Sequence, residues 1–166
     1  MLEPEVETLA WAEQVRLDDA RYRAQIGYVL ARSAFYREKL VAAGIASPEQ
    51  AGGLSEIARL PFTEKNEIRA SCTPENPIGT HLCVGREEIV RIYSTSGTTG
   101  TPSYIPLTRS DLDNWVTGSS RSYAASGVSA GQRIVSTYNA GPFVAGAALG
   151  SMDRIGLCHI LSLIHI

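Results

Sequence analysis

Apolar residues Leu9, Trp11, Val15, Leu17, Ala20, Ala24, Tyr28, Ala31, Phe35 and Leu40 recur at spacings near three and four. That period predicts a helix over residues 5–43, with those positions as its inner stripe. Arg16, Arg21, Arg23, Arg32 and Arg37 fall mostly between them, as salt-bridging arginines on a solvated face. Gly44 is placed to stop the helix. Residues 45–62 are punctuated by Ser47-Pro48, Gly52-Gly53 and Leu60-Pro61, which predicts loop. Thr63 is placed to cap a short helix through Arg69, with Glu64 near its positive end. Pro74, Pro77, Gly79 and Gly85 exclude a long element from 72–86.

The period then changes. Ile89–Tyr93 is rich in β-branched and aromatic residues and predicts a strand. Ser103–Leu107 predicts a returning strand, in which Pro106 marks an edge or a bulge because it has no N–H to donate. Thr108 and Asp111 have the spacing of a capping box opening a helix. Its inner stripe is Leu112, Trp115, Val116, Ser119 and Tyr123, and Gly127 ends it. Arg133–Tyr138 predicts a buried-type strand, Phe143–Arg154 a second helix and Leu157–Ile160 the start of another strand. Helix-rich sequence followed by strand, helix, strand, helix predicts an α/β protein.

Composition narrows what such a chain does. Its 166 residues carry 15 basic and 17 acidic side chains, a net charge of −2, with a pI near 5.9. That balance disfavours nucleic-acid binding by phosphate neutralisation. No run reaches the roughly 18 apolar residues of a membrane span. The acidic start, Met1-Leu-Glu-Pro-Glu, is unlike a secretory leader, so a cytoplasmic location is the expectation. Three cysteines, Cys72, Cys83 and Cys158, do not make a disulfide scaffold. Cys72, His81 and Cys83 match no zinc spacing. Lys39 and Lys65 are the only lysines against thirteen arginines, so no amine lies beyond residue 65 to act as a nucleophile or a phosphate clamp.

The candidate chemistry lies between the two strands. Ser94-Thr-Ser-Gly-Thr-Thr-Gly-Thr-Pro102 offers eight consecutive N–H groups and six hydroxyls between Ser94 and Thr101. Gly97 and Gly100 permit positive φ, so successive N–H groups can converge into a nest for anionic oxygens. The hydroxyls add donors for phosphate and oxygen ligands for a magnesium ion. A flexible Ser/Thr/Gly linker is the plain alternative. A Walker loop is excluded, because both its glycine spacing and its lysine are absent.

This run resembles the signature loop of the adenylate-forming (AMP-binding, acyl-CoA synthetase) superfamily. Phe35-Tyr-Arg-Glu-Lys-Leu40, Leu60-Pro-Phe-Thr-Glu-Lys65, Leu107-Thr-Arg-Ser-Asp-Leu-Asp113 and Tyr138-Asn-Ala-Gly-Pro-Phe143 resemble its phenylacetate–CoA ligase branch. The likeness runs from about residue 25 to about residue 160. It implies the N-terminal part of the family's large domain, a helical N-terminus followed by sheet with flanking helices, without the C-terminal domain. Residues 1–160 would then be a partial AMP-binding domain, helical over 1–70 and α/β with the phosphate loop over 87–160.

The implied activity is ATP-dependent conversion of an aryl or arylacetic acid to an acyl-adenylate and then a coenzyme A thioester, as in aromatic acid catabolism. Ser94, Thr95, Ser96, Gly97, Thr98, Thr99 and Gly100 would hold the phosphates of ATP, and Thr98 and Thr99 would also meet Mg2+. Tyr138, Asn139, Gly141 and Phe143 would border the acyl pocket. The implied partners are the carboxylic acid, ATP and coenzyme A, with neither nucleic acid nor membrane, and with room for a homo-oligomer at full length. Adenylation for transfer to a carrier protein, or nucleotide binding without catalysis, are the alternatives. The second draws on a departure from the family: Thr101 and Ser103 stand where many members carry a lysine, leaving Arg91 or Arg109 to compensate.

The family's catalytic lysine belongs to the C-terminal domain, so no catalytic residue is assigned here. Leu161-Ser-Leu-Ile-His-Ile166 looks like translated sequencing-adapter read-through. The expectation is an N-terminal fragment of a longer reading frame, inactive by itself.

Overall fold

Ser33 breaks the long N-terminal helix. A computed structural model describes residues 1–94, 103–136 and 145–161, which fall into two units: Leu9–Arg86, and Met1–Thr8 with the chain from Glu87 onward. In the first unit the helix expected over 5–43 is divided into α2 (Trp11–Arg32) and α3 (Ala34–Ala42). A separate turn, α1 (Pro4–Glu7), precedes them. Ser33 is extended, at φ −113° and ψ 118°, and its Oγ accepts from the Tyr36 N–H at 3.2 Å. The fully buried hydroxyl also lies 3.2 and 3.3 Å from the carbonyl oxygens of Thr80 and His81. A serine offered partners outside the helix competes with helix continuation. Arg37 completes the break by donating to the carbonyls of Leu30 and Ala31, at 2.7 and 2.8 Å, where α2 runs out of intrahelical donors.

Gly44 ends α3 as expected. Its φ is +80°, and the N–H groups of Gly44 and Ile45 donate to Val41 and Leu40 at 2.9 and 2.8 Å. This is a Schellman turn, and Ile45 and Leu40 supply its apolar contact. Those two residues pack with Tyr22, Ile26, Leu30 and Ala51 into the unit's core. The expected inner stripe of α2 is therefore out of phase. Trp11 is 79% exposed and Tyr28 41%, and Ala20, Ala24 and Ala31 face solvent as well. Counting alanine as apolar misplaced the stripe, whereas Tyr22, Ile26 and Leu30, at i, i+4 and i+8, carry the burial. Arg16, Arg21 and Arg23 do pair with Glu13, Asp18 and Asp19 along the solvated side.

A 3-10 turn (Leu54–Arg59) leads to α4 (Lys65–Ala70). Glu64, not Thr63, is the N-cap of α4. The Glu67 carboxylate accepts the Glu64 N–H at 2.6 Å, which fixes the start one residue later than expected.

The second unit opens its sheet with β1 (Ile89–Ser94) and β2 (Tyr104–Thr108), an antiparallel pair. Pro106 lies opposite Ile92, in a two-stranded sheet where both strands are edges; the bulge falls between Ile89 and Arg91. α5 (Arg109–Ala125) starts on the expected capping box: Thr108 Oγ1 accepts from the Asp111 N–H at 3.2 Å, and Asp111 Oδ2 accepts from the Thr108 N–H at 2.9 Å. Gly127, at φ +93°, terminates it.

α6 (Ala145–Ile155) lies between β3 (Arg133–Ser136) and β4 (Cys158–Leu161), which pair in parallel. β3 is not the fully buried strand expected. Val135 is 57% exposed and its partner Ile160 47%, because one face of this two-stranded pair is uncovered among the described residues. α5 and α6 approach closely through small residues: Ser120 Oγ lies 3.2 Å from the Ser151 carbonyl, and a Cβ on Gly150 would stand 3.1 Å from Val116. No helix among the described residues is long and apolar enough to cross a membrane. Residues 162–166, which hold most of the expected adapter-derived tail, lie outside the described residues.

Candidate functional site

The Ser/Thr/Gly run leaves β1 at Ser94 and the chain re-enters sheet at Tyr104, and those two residues are direct cross-strand partners. Ser94 and Tyr104, which bracket the rest of the run in sequence, are thus held one strand spacing apart, roughly 5 Å. That base is anchored from below. Tyr93, 3% exposed, meets Trp115 edge to face with ring centroids 5.9 Å apart, and packs with Leu107, Leu112 and Ile105. Alternation along β1 turns Tyr93 inward and its neighbour Ser94 toward the opposite face, where it is half-buried. Local sequence accounts for this: β-branched residues precede the run, and the Thr108 cap locks the strand that follows it onto α5.

Of the expected phosphate-binding residues, Ser94 is described. Thr95, Ser96, Gly97, Thr98, Thr99 and Gly100 lie outside the described residues, as do Tyr138, Asn139, Gly141 and Phe143 of the expected acyl pocket. The described ends of that second segment are Ser136, closing β3, and Ala145, opening α6.

The charges near the hairpin are arginines. Arg91 is exposed, donates to Tyr93 Oη at 3.3 Å and sets its guanidinium 6.0 Å from that ring's centroid. Its charge therefore sits three residues before the run, steadied by an aromatic face. Arg109 is exposed at the first position of α5. Lys39 is engaged elsewhere: it forms a short ion pair with Glu67, and its ammonium lies 5.9 Å from the Phe35 ring centroid. The Glu67 carboxyl is held below its ordinary range, first by the Glu64 N–H and then by Lys39. Leu40 of the first motif belongs to the core of this unit and Leu60 of the second packs against that core, an assignment that spacing alone did not supply.

Cys72, His81 and Cys83 are drawn into local bonding. Ser71 Oγ lies 2.7 Å from the Ile68 carbonyl oxygen, to which it donates, and 3.0 Å from His81 Nδ1. Burial lowers the His81 pKa. Cys72 Sγ lies 3.4 Å from the Ile68 carbonyl, and Cys83 Sγ 3.8 Å from that of His81. Sequence reading missed the Ser71–His81 pair. Its one signal was Gly79, whose φ of +94° and close approach to both side chains permit the contact.

No protein-family model matches the chain. It is 35% identical over 158 residues to the phenylacetate–coenzyme A ligase of Thermus thermophilus, an alignment covering 95% of this chain and 34% of that protein. The phenylacetate–coenzyme A ligase of Escherichia coli is 33% identical over 152 residues, 91% of this chain and 33% of its own length. The chain therefore spans about a third of the length of these curated relatives. Among solved structures, a 2-hydroxyisobutyryl-CoA ligase in complex with 2-HIB-AMP and CoA, in the thioesterification state, superposes with a TM-score of 0.82 at 28% identity. That match covers 95% of this chain and 33% of the other. An open conformation of the 2-hydroxyisobutyryl-CoA ligase gives 0.82 at 24% identity over 97% of this chain and 37% of its own, a likeness of fold.

Proposed function

The chain belongs to the adenylate-forming CoA ligases, in the phenylacetate–CoA ligase branch, and from that premise we propose that the whole protein activates an aryl or arylacetic acid with ATP and passes the acyl group to coenzyme A. The carboxylate oxygen attacks the α-phosphorus of ATP and pyrophosphate leaves. The coenzyme A sulfur then attacks the acyl carbon, AMP departs and the thiol proton is released. The reaction is assigned to the cytoplasm.

The observation that carries this reading is the Ser94–Tyr104 cross-strand pair, between which the sequence places a run of hydroxyl- and amide-bearing residues. In the proposal, Ser94 through Gly100 hold the β- and γ-phosphates. Donors fixed before the reaction stabilise charge growing on the leaving pyrophosphate without reorganising, and holding the tail aligns the α-phosphorus for in-line attack. Hydroxyl oxygens among amide donors also suit a hard cation. Thr98 and Thr99 are the residues proposed to meet Mg2+, which would supply further neutralisation of the phosphate charge. Tyr138, Asn139, Gly141 and Phe143 follow β3 and are proposed to border the acid, since ligands of open α/β sheets settle beyond the carboxyl ends of strands.

Acid-dependent ATP–pyrophosphate exchange, run on the complete gene product with a panel of aryl and arylacetic acids, tests the proposal. Exchange that requires the acid supports it. Nucleotide binding without exchange would instead identify a non-catalytic module, the reading favoured by Thr101 and Ser103 in place of lysine. Replacing Thr98 and Thr99 together by alanine is expected to lower exchange at least tenfold with an unchanged melting temperature. Equal kinetics would remove the run from the mechanism.

A further inference from the structure

We propose that the first eight residues form a detachable electrostatic strap across α5 and α6, able to open while the rest of the unit stays folded. α1 is a single turn, and none of its residues is buried. Glu3 and Glu7 stand one helical turn apart and each reaches a different partner helix. Arg154 Nη2 of α6 donates to Glu3 Oε1 at 2.8 Å, and Arg121 Nε of α5 lies 3.5 Å from Glu7 Oε1. That same Glu7 oxygen accepts the backbone N–H groups of Leu2 and Glu3, at 3.1 and 3.0 Å. One carboxylate therefore ties off the start of the turn and fastens it to α5.

Beside Glu7 the surface of α5 is left open. A groove of about 330 Å³, open to solvent, is lined by Glu7, Gly118, Arg121, Ser122 and Ala125. Gly118, Ser122 and Ala125 recur at helical spacing along α5 and give this groove no large apolar side chain. The segment is held by two charge pairs, its own backbone bonds and the half-buried Leu2 and Val6, with none of the α1 residues fully buried. Partly exposed pairs of this kind shift an equilibrium only a few-fold each and weaken in salt. An element with few buried apolar contacts opens locally, below the free energy of global unfolding. The two charge pairs thus make the strap a tether that ionic strength or a competing charge releases from α5 and α6.

Amide hydrogen exchange on the 166-residue chain tests this, with Leu2, Glu3, Val6, Glu7 and Thr8 as reporters, because each donates a bond inside the strap. The double substitution R121Q/R154Q leaves the strap's own sequence intact. At low salt it is expected to speed exchange at these amides about three- to tenfold while α5 and α6 keep their protection. Raising salt to about 0.5 M should loosen the unsubstituted strap similarly and add little in the variant. The charge swap E3R/R154E should retain slower exchange than R154E alone. Identical strap exchange with and without Arg121 and Arg154 would overturn the proposal. So would loss of protection in α5 and α6 together with the strap, which would make α1 an integral part of the fold.

Discussion

At the residue scale, the half-buried imidazole of His81 makes a pH-dependent contribution to stability. Burial lowers the folded-state pKa of His81 below its ordinary 6.5, so the unfolded chain binds more protons in the interval between the two values. The contribution is fully present above the unfolded pKa and is lost as pH falls through the folded one. A lower urea midpoint at pH 5.5 than at pH 7.5 is the expected outcome, and H81N should flatten that slope. Glu7, Asp19, Glu49 and Glu67, all lowered mainly by hydrogen bonds, lose their contributions only at more acidic pH. Gly79 is the companion test. A Cβ there would fall 2.5 Å from Ser71 Oγ and 2.7 Å from His81 Nδ1, on a backbone at φ +94°. G79A is therefore expected to cost about 1–3 kcal/mol in chemical denaturation. Gly79 was legible in the sequence as a breaker, but the two side chains it admits come from opposite ends of a loop.

At the element scale, the helix boundaries written in short-range chemistry are the ones that sequence reading placed correctly. Thr108 and Asp111 bond each other across three residues, and Gly44 and Gly127 need only their own positive φ. T108A removes an acceptor from the start of α5 and is expected to destabilise the chain by about 1 kcal/mol, read as a lower urea midpoint at unchanged slope. Ser33 is the opposite case. It ends α2 because carbonyls of Thr80 and His81 await its hydroxyl, 47 and 48 residues away in sequence. The phase of α2 likewise depends on Ile45 and Ala51, which lie beyond the helix itself. Ile45 is completely buried, and I45A is expected to cost about 2–5 kcal/mol through the cavity it leaves.

At the scale of the whole molecule, the chain matches about a third of the length of the ligases it resembles. The isolated 166 residues are therefore expected to yield no thioester above background when incubated with arylacetic acid, ATP, Mg2+ and coenzyme A. Activity of the purified chain, free of any longer product, would contradict this. The sequence by itself determined the family, through motifs spread from about residue 25 to about residue 160. It also determined the two strands flanking the Ser/Thr/Gly run, the caps of α5 and the terminating glycines, because each of these elements rests on neighbours within a few positions. Only the tertiary structure decided which face of α2 is inside, where the N-terminal helix breaks, how Lys39 is spent on Glu67, and how closely Ser120 and Gly150 let α5 and α6 approach. Those outcomes depend on partners brought together by folding, and burial is settled by the surface that arrives opposite a residue rather than by the residue's own periodicity.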